Sequence, residues 1–112
     1  MSVELFRRLW EKRAEELDKL WETLERLKEA ATELDPEARV YVFGSFARGT
    51  ARPDSDVDVL VVTELASTEE GRLAVRRALG KVLSPYSPIE LHIASTEQFK
   101  WYLQFMDVFV EV

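Results

Sequence analysis

Apolar residues in the first third of the chain recur on alternating steps of three and four: Val3, Phe6, Trp10, then Leu17, Leu20, Leu24, Leu27, Ala31 and Leu34. Arg13 is the one break in that series. Leu5, Leu9, Ala14, Trp21 and Ala30 lie beside it and widen the stripe beyond a narrow coiled-coil seam. No Gly or Pro falls between Ser2 and Leu34, and Glu15–Lys19 and Glu22–Arg26 are i,i+4 pairs with the acid first, the favourable order. The spacing predicts one amphipathic helix over residues 2–34. Asp35-Pro36 ends it, because the residue before proline is pushed out of the α region. Such a helix would run about 50 Å at 1.5 Å per residue. A compact domain of this size is only about 27 Å across, from an expected radius of gyration of about 13 Å. Part of the apolar stripe is therefore expected to overhang the core and to meet another subunit.

Beyond Pro36 the period changes from helical to alternating. Arg39-Val-Tyr-Val-Phe43 is β-branched and aromatic and runs into Gly44, which predicts a strand. Ser45 to Arg48 has room for one helical turn, and Gly49 to Ser55 is a loop by composition. Val57, Val59 and Val61 alternate with Asp56, Asp58 and Leu60, with Val62 following, giving a second strand. Ser67-Thr-Glu-Glu70 matches a capping box and predicts a helix over 67–84, with Val75, Leu79, Val82 and Leu83 on its buried side. Ser84-Pro-Tyr-Ser-Pro88 stops it. Ile89, Leu91 and Ile93 alternate with Glu90, His92 and Ala94 in a third strand. Ser95-Thr-Glu-Gln98 is a second capping box, opening a helix that carries Phe99, Trp101, Tyr102 and Phe105, read as core residues. Val108 to Val112 is a candidate last strand. The fold class is α/β (α+β): a small mixed sheet covered on one face by helices, with acids on its other face, behind a long N-terminal helix. One domain spans residues 1–112, with the helix over 1–35 and the core over 36–112.

Composition narrows the function. At 112 residues there is room for one modest core. Without cysteine, a disulfide framework, a thiolate zinc site and a Cys nucleophile are excluded, and a single histidine excludes a multi-His metal site. Fifteen Lys and Arg against 21 Asp and Glu give a net charge of −6, a poor match to a nucleic-acid backbone. The charged start is no signal peptide and no run approaches the roughly 18 apolar residues of a membrane span, so a cytoplasmic protein is expected.

The chemistry concentrates in Gly44-Ser45, a ten-residue spacer, and Asp56-Val57-Asp58. Two carboxylates one residue apart on a strand share a face and repel each other unless a cation lies between them. Taken alone, such a pair also fits a solvated sheet face. Glu90, on the third strand, is a third acid if that strand lies beside the second. Three acids on adjacent strands suit hard divalent ions and phosphoryl chemistry. Glycine at Gly44 permits close approach of a phosphate, and Ser45 offers a hydroxyl beside the N–H groups of a helical turn. Ser55 adjoins Asp56. Arg48 and Arg52 fit either phosphate contacts or loop solubility. His92, two residues after Glu90 on the same face, reads as a surface residue or a support for the acids rather than a ligand.

The segment GSFARGTARPDSDVDVLVV, with Ile89-Glu90-Leu91 after it, resembles the signature of the DNA polymerase β-like nucleotidyltransferase superfamily. The small size resembles the minimal nucleotidyltransferases, which pair with HEPN-domain proteins in toxin–antitoxin or nucleotide-transfer systems. The resemblance covers roughly residues 36–112. It implies that Asp56, Asp58 and Glu90 are the catalytic acids and bind Mg²⁺, with Mn²⁺ as an alternative. It implies that Gly44 and Ser45 hold the nucleotide phosphates; Arg48 and Ser55, from their places in the same loop, are further candidate nucleotide contacts. The expected activity is transfer of AMP from ATP to a hydroxyl acceptor with release of pyrophosphate. Asp56 and Asp58 then hold the metal on the triphosphate, Asp58 and Glu90 a second metal, and Glu90 can serve as base. With little surface left for an acceptor pocket, the expected acceptor is a HEPN-type partner protein. The N-terminal helix is the expected contact, with that partner or in a homo-oligomer. A non-catalytic antitoxin and a small-molecule nucleotidyltransferase completed by dimerisation are the competing readings.

Overall fold

A computed structural model describes residues 2–112. The elements follow in the order α1 (Val3–Asp18), α2 (Leu20–Leu34), β1 (Arg39–Phe43), α3 (Ser45–Arg48), β2 (Val57–Val62), a 3-10 turn (Glu64–Ser67), α4 (Glu69–Gly80), β3 (Ile89–Ala94), α5 (Thr96–Tyr102) and β4 (Phe109–Glu111). The four strands form one mixed sheet in the order β3-β2-β1-β4, in which β1 is antiparallel to β2 and β4, and β2 is parallel to β3. The parallel pair is joined through α4, as a parallel connection requires.

Alternation along the strands divides the side chains between two faces. On one, Val40, Val42, Val57, Val59, Val61 and Ile93 pack against Leu20, Leu24, Leu27 and Ala31 of α2 and Val75 and Leu79 of α4. Leu24 and Leu27 are wholly buried, and each contributes about 1.5–3 kcal/mol of apolar transfer. On the other face, Tyr41, Leu60, Val62 and Ala94 pack with Met106, and Phe43, Phe99 and Tyr102 close over them. The expectation of helices on one face is thus corrected. α4 and α2 cover one face, and α5 lies across part of the other, leaving the acids on the uncovered remainder. Phe99 and Tyr102 join this second cluster as expected, whereas Trp101 and Phe105 are exposed.

The single N-terminal helix of the sequence pattern is interrupted at Lys19, whose φ of −96° and ψ of 9° leave helical geometry. The hydrogen bonding barely registers the break: the Lys19 N–H still donates to the Glu15 carbonyl at 3.3 Å, and the Thr23 N–H to the Lys19 carbonyl at 2.9 Å. Residues 2–34 contain no Gly or Pro to announce it. The two halves have different attachments. α2 supplies five buried residues, α1 supplies none, and Leu17 near the end of α1 is its one link to the larger apolar cluster. Val3, Leu5, Phe6, Leu9 and Trp10 all stay exposed, so the expected overhang is present, and the molecule measures 45 × 28 × 23 Å.

α4 starts two residues later than the capping-box pattern predicts and ends at Gly80 rather than residue 84. Ser67 is taken up by the 3-10 turn, where its hydroxyl donates to Glu64 at 3.2 Å. Thr68 caps instead, accepting the Gly71 N–H at 3.0 Å. A Cβ at Gly71 would collide with the Leu65 carbonyl oxygen, so glycine here lets the turn lie against the helix. The second capping box, Ser95 with Gln98, forms as expected. Glu64 ties the turn to α5 by accepting the Thr96 N–H at 3.0 Å. The hydroxyl and N–H of Thr96 hold its carboxyl below the usual carboxylate range.

The unequal attachment of α1 and α2 has a direct consequence for stability. Leu24→Ala is expected to cost about 2–5 kcal/mol, and Leu9→Ala, on the exposed stripe, less than about 0.5 kcal/mol. Urea unfolding of both variants measures the contrast.

Candidate active site

The register of the sheet builds the site. Phe43 of β1 faces Asp58 of β2, and Asp58 faces Glu90 of β3, so one row crosses three strands. His92 stands two residues further along β3 on the same face. Its Nε2 lies 3.3 Å from Asp58 Oδ1 and 4.0 Å from Glu90 Oε1. One ligand atom from each of Asp58, Glu90 and His92 lies within 4.8 Å of the other two. The Asp58 and His92 side chains are about three-quarters buried, at 28% and 26% exposure, and Glu90 is 57% exposed. The imidazole is walled by Phe43 and Tyr102, with ring centroids 5.3 and 6.0 Å away.

Gly44 explains how Asp58 is accommodated. Its φ of 75° and ψ of −153° lie in a region that only glycine enters at low cost. A Cβ there would sit 2.5 Å from Asp58 Oδ2. The space beside the strand end thus belongs to the Asp58 carboxylate, a use of Gly44 additional to the phosphate approach expected from sequence. Ser45 opens α3 immediately after it, and the Ser45 carbonyl accepts the Thr50 N–H at 2.9 Å.

The remaining candidates divide. Asp56 precedes β2 and lies outside the converging set. Its carboxylate is 62% exposed and 4.0 Å from the Arg13 guanidinium. Ser55 folds back on its loop, its hydroxyl accepting the Arg52 N–H at 2.8 Å. Arg48 is 3.5 Å from Asp107 in the segment leading to β4, so its charge is shared within the chain. Two residues carry more than the sequence reading gave them. His92 joins the acids directly, and the period-two alternation that placed it on the face of Glu90 was the available signal. Arg13 reaches the loop before Asp56, and its signal was the charge interrupting an apolar series.

The donor set fits a divalent ion. Two carboxylates and one imidazole converge, Gly44 leaves the room for the Asp58 carboxylate that a Cβ would take, and carboxylate oxygen suits Mg²⁺ and Mn²⁺. The His92 tautomer with Nε2 protonated donates to Asp58, and the other leaves Nε2 free as a nitrogen ligand. A second recess, at the far end of the sheet, is lined by Asp35, Glu37 and Glu64, two of which are engaged structurally. Asp35 there accepts the Thr63 hydroxyl at 2.7 Å, and Glu64 accepts Thr96.

Comparison with known proteins agrees with this geometry. The model of the nucleotidyltransferase domain family matches residues 24–109, more than half of the chain, and the protein belongs to that family. A segment of 55 residues, 49% of the chain, is 36% identical to poly(A) RNA polymerase protein 2 of Saccharomyces cerevisiae, of which it spans only 9%. Two solved structures, each with a provisional nucleotidyltransferase assignment, share the fold. One superposes with a TM-score of 0.69 at 24% identity, covering 79% of this chain and 95% of its own. The other, from Sulfolobus solfataricus, superposes with a TM-score of 0.61 at 18% identity, covering 89% and 85%. The chain is a nucleotidyltransferase domain, and among the described residues no helix is long and apolar enough to cross a membrane.

Gly44→Ala tests the room left for Asp58. Strain at this backbone conformation is expected to cost about 1–3 kcal/mol. The added methyl should also displace Asp58 and lower Mn²⁺ affinity, read by calorimetric titration of variant and parent.

Proposed function

We propose that this domain transfers AMP from ATP to a hydroxyl of a partner protein, releasing pyrophosphate, in the cytoplasm. The observation that carries the reading is the row joining Asp58 to Glu90 beside Gly44 and Ser45. In this reading Asp58 and Glu90, with Asp56 at the entrance to β2, hold Mg²⁺ or Mn²⁺, and such an ion offsets the charge of the triphosphate. Gly44, Ser45, Arg48 and Ser55 contact the phosphates. Glu90, the most solvent-accessible of the converging trio, takes the proton of the attacking hydroxyl. The hydroxyl oxygen bonds to the α-phosphorus as the bond to pyrophosphate breaks.

Adenylate as the transferred group is supported by the yeast relative, itself named a poly(A) RNA polymerase. A net charge of −6 favours a protein acceptor over RNA. The exposed apolar stripe of α1 supports a subunit contact, with a HEPN-type protein of a toxin–antitoxin pair or with a second copy.

Incubation with labelled ATP, Mg²⁺ and a HEPN-type protein encoded beside it should label that protein. Asp58→Asn and Asp56→Asn should each lower transfer by more than roughly a hundredfold, a loss that even groups supporting a metal ligand can cause. Folding should survive both: Asp58→Asn relieves repulsion with Glu90, and Asp56→Asn removes only a weak, exposed ion pair with Arg13. Label on a small hydroxyl compound would replace the acceptor, and ATP binding without any transfer would make the chain a binding module.

Assembly has its own variant. Trp10→Glu should weaken association, measured by sedimentation velocity, and leave ATP affinity unchanged. A chain that stays monomeric at high concentration and binds no partner would contradict the proposed contact.

A further inference from the structure

α1 contributes no buried residue, yet the Arg13 side chain in its middle is only 22% exposed. Its guanidinium spans forty residues of sequence to bind backbone. Nε donates to the Pro53 carbonyl at 3.1 Å, and Nη2 donates to the Ser55 carbonyl. These two carbonyls sit on a turn that is also closed from within. The Ser55 N–H donates to the Arg52 carbonyl at 3.0 Å, and the Arg52 N–H to the Ser55 hydroxyl at 2.8 Å. The chain then passes through Asp56 to Val57, whose N–H bonds to the Pro88 carbonyl at 2.9 Å and starts the β2–β3 ladder. Asp56 is therefore the one residue between a clamped turn and a fixed strand.

We infer that Arg13 is a positioning residue that pins the 53–55 turn and so holds Asp56 at the entrance to β2. The inference rests on the proposed role of Asp56 at the metal. The two carbonyl bonds carry the effect rather than the ion pair. At 4.0 Å, with the Asp56 carboxylate 62% exposed, charge attraction alone is weak. A planar fork can bridge carbonyls two residues apart, whereas an ammonium offers a single point of charge. The position of Arg13 in the apolar series fits this use. The rest of that helix face, Phe6, Leu9 and Trp10, borders the same loop at Asp54.

Two readouts on Arg13→Ala and Arg13→Lys test it. The first is hydrogen exchange without ligand. The Arg52 and Ser55 amides should exchange roughly tenfold faster or more in both variants, the scale of one lost hydrogen bond to a charged group, with α2 and the sheet unchanged. The second is Mn²⁺ affinity by calorimetry, expected to fall roughly tenfold or more in Arg13→Ala, as for loss of an outer support to a ligand. Unchanged exchange in Arg13→Ala, or full restoration by Lys, would overturn the clamp. Faster exchange with unaltered Mn²⁺ affinity would overturn its link to Asp56. A parent protein that binds no Mn²⁺ would sink the metal reading instead, and the exchange comparison would still decide the clamp.

Discussion

The parallel register of β2 and β3 is the constraint on which the site depends. It sets Asp58 directly against Glu90, two like charges in neighbouring positions on one face of a sheet. Such a pair is unfavourable in a purely structural role. The fold nonetheless keeps it partly enclosed, with an imidazole 3.3 Å from Asp58 and a glycine whose missing Cβ leaves room for the carboxylate. The arrangement becomes favourable when positive charge enters it. The opposite face of the same strands carries the apolar contacts that hold the register. Val57, Val59 and Val61 lie against α2 and α4, so a one-residue slip would turn the valines outward as well as separate the acids.

That division of labour gives the two faces different tolerance. The α2–α4 face is packed for stability. The opposite face is covered only partly, because α5 is short and lies over Tyr41 and Leu60 rather than over Asp58 and Glu90. An open strip is thereby left at the end of the sheet where β1 runs out into Gly44 and α3, and where β2 and β3 begin. Loops from three elements reach this strip: the turn after β1, the segment before β2 and the segment before β4, where Asp107 meets Arg48.

Much of this was legible in the residues themselves. All four strands, the single turn of α3 and the α5 capping box appear where alternation and cap chemistry put them. The Gly-Ser and Asp-x-Asp spacing carried the resemblance that the family match supports. Other features depend on tertiary relations that no local pattern carries. The break at Lys19 has no Gly or Pro to mark it. The crossing of α5 to the second face depends on the path taken after β3. Adjacent Ser67 and Thr68 are both competent caps, and the choice between them follows from the 3-10 turn packed at Gly71. Arg13 and His92 form a middle case. Their periodic positions were visible, but the partners they reach lie about forty and thirty-four residues away.

The proposed function requires a divalent ion held by Asp58 and Glu90, neighbours across β2 and β3, with Asp56 at the entrance to β2. Anomalous diffraction from crystals grown with Mn²⁺ and a non-hydrolysable ATP analogue tests it most directly. A manganese peak is expected in direct contact with carboxylate oxygens of Asp58 and Glu90, with the analogue's phosphates beside Gly44 and Ser45. Manganese bound elsewhere, with these carboxylates free of metal and the analogue away from Gly44, would contradict it.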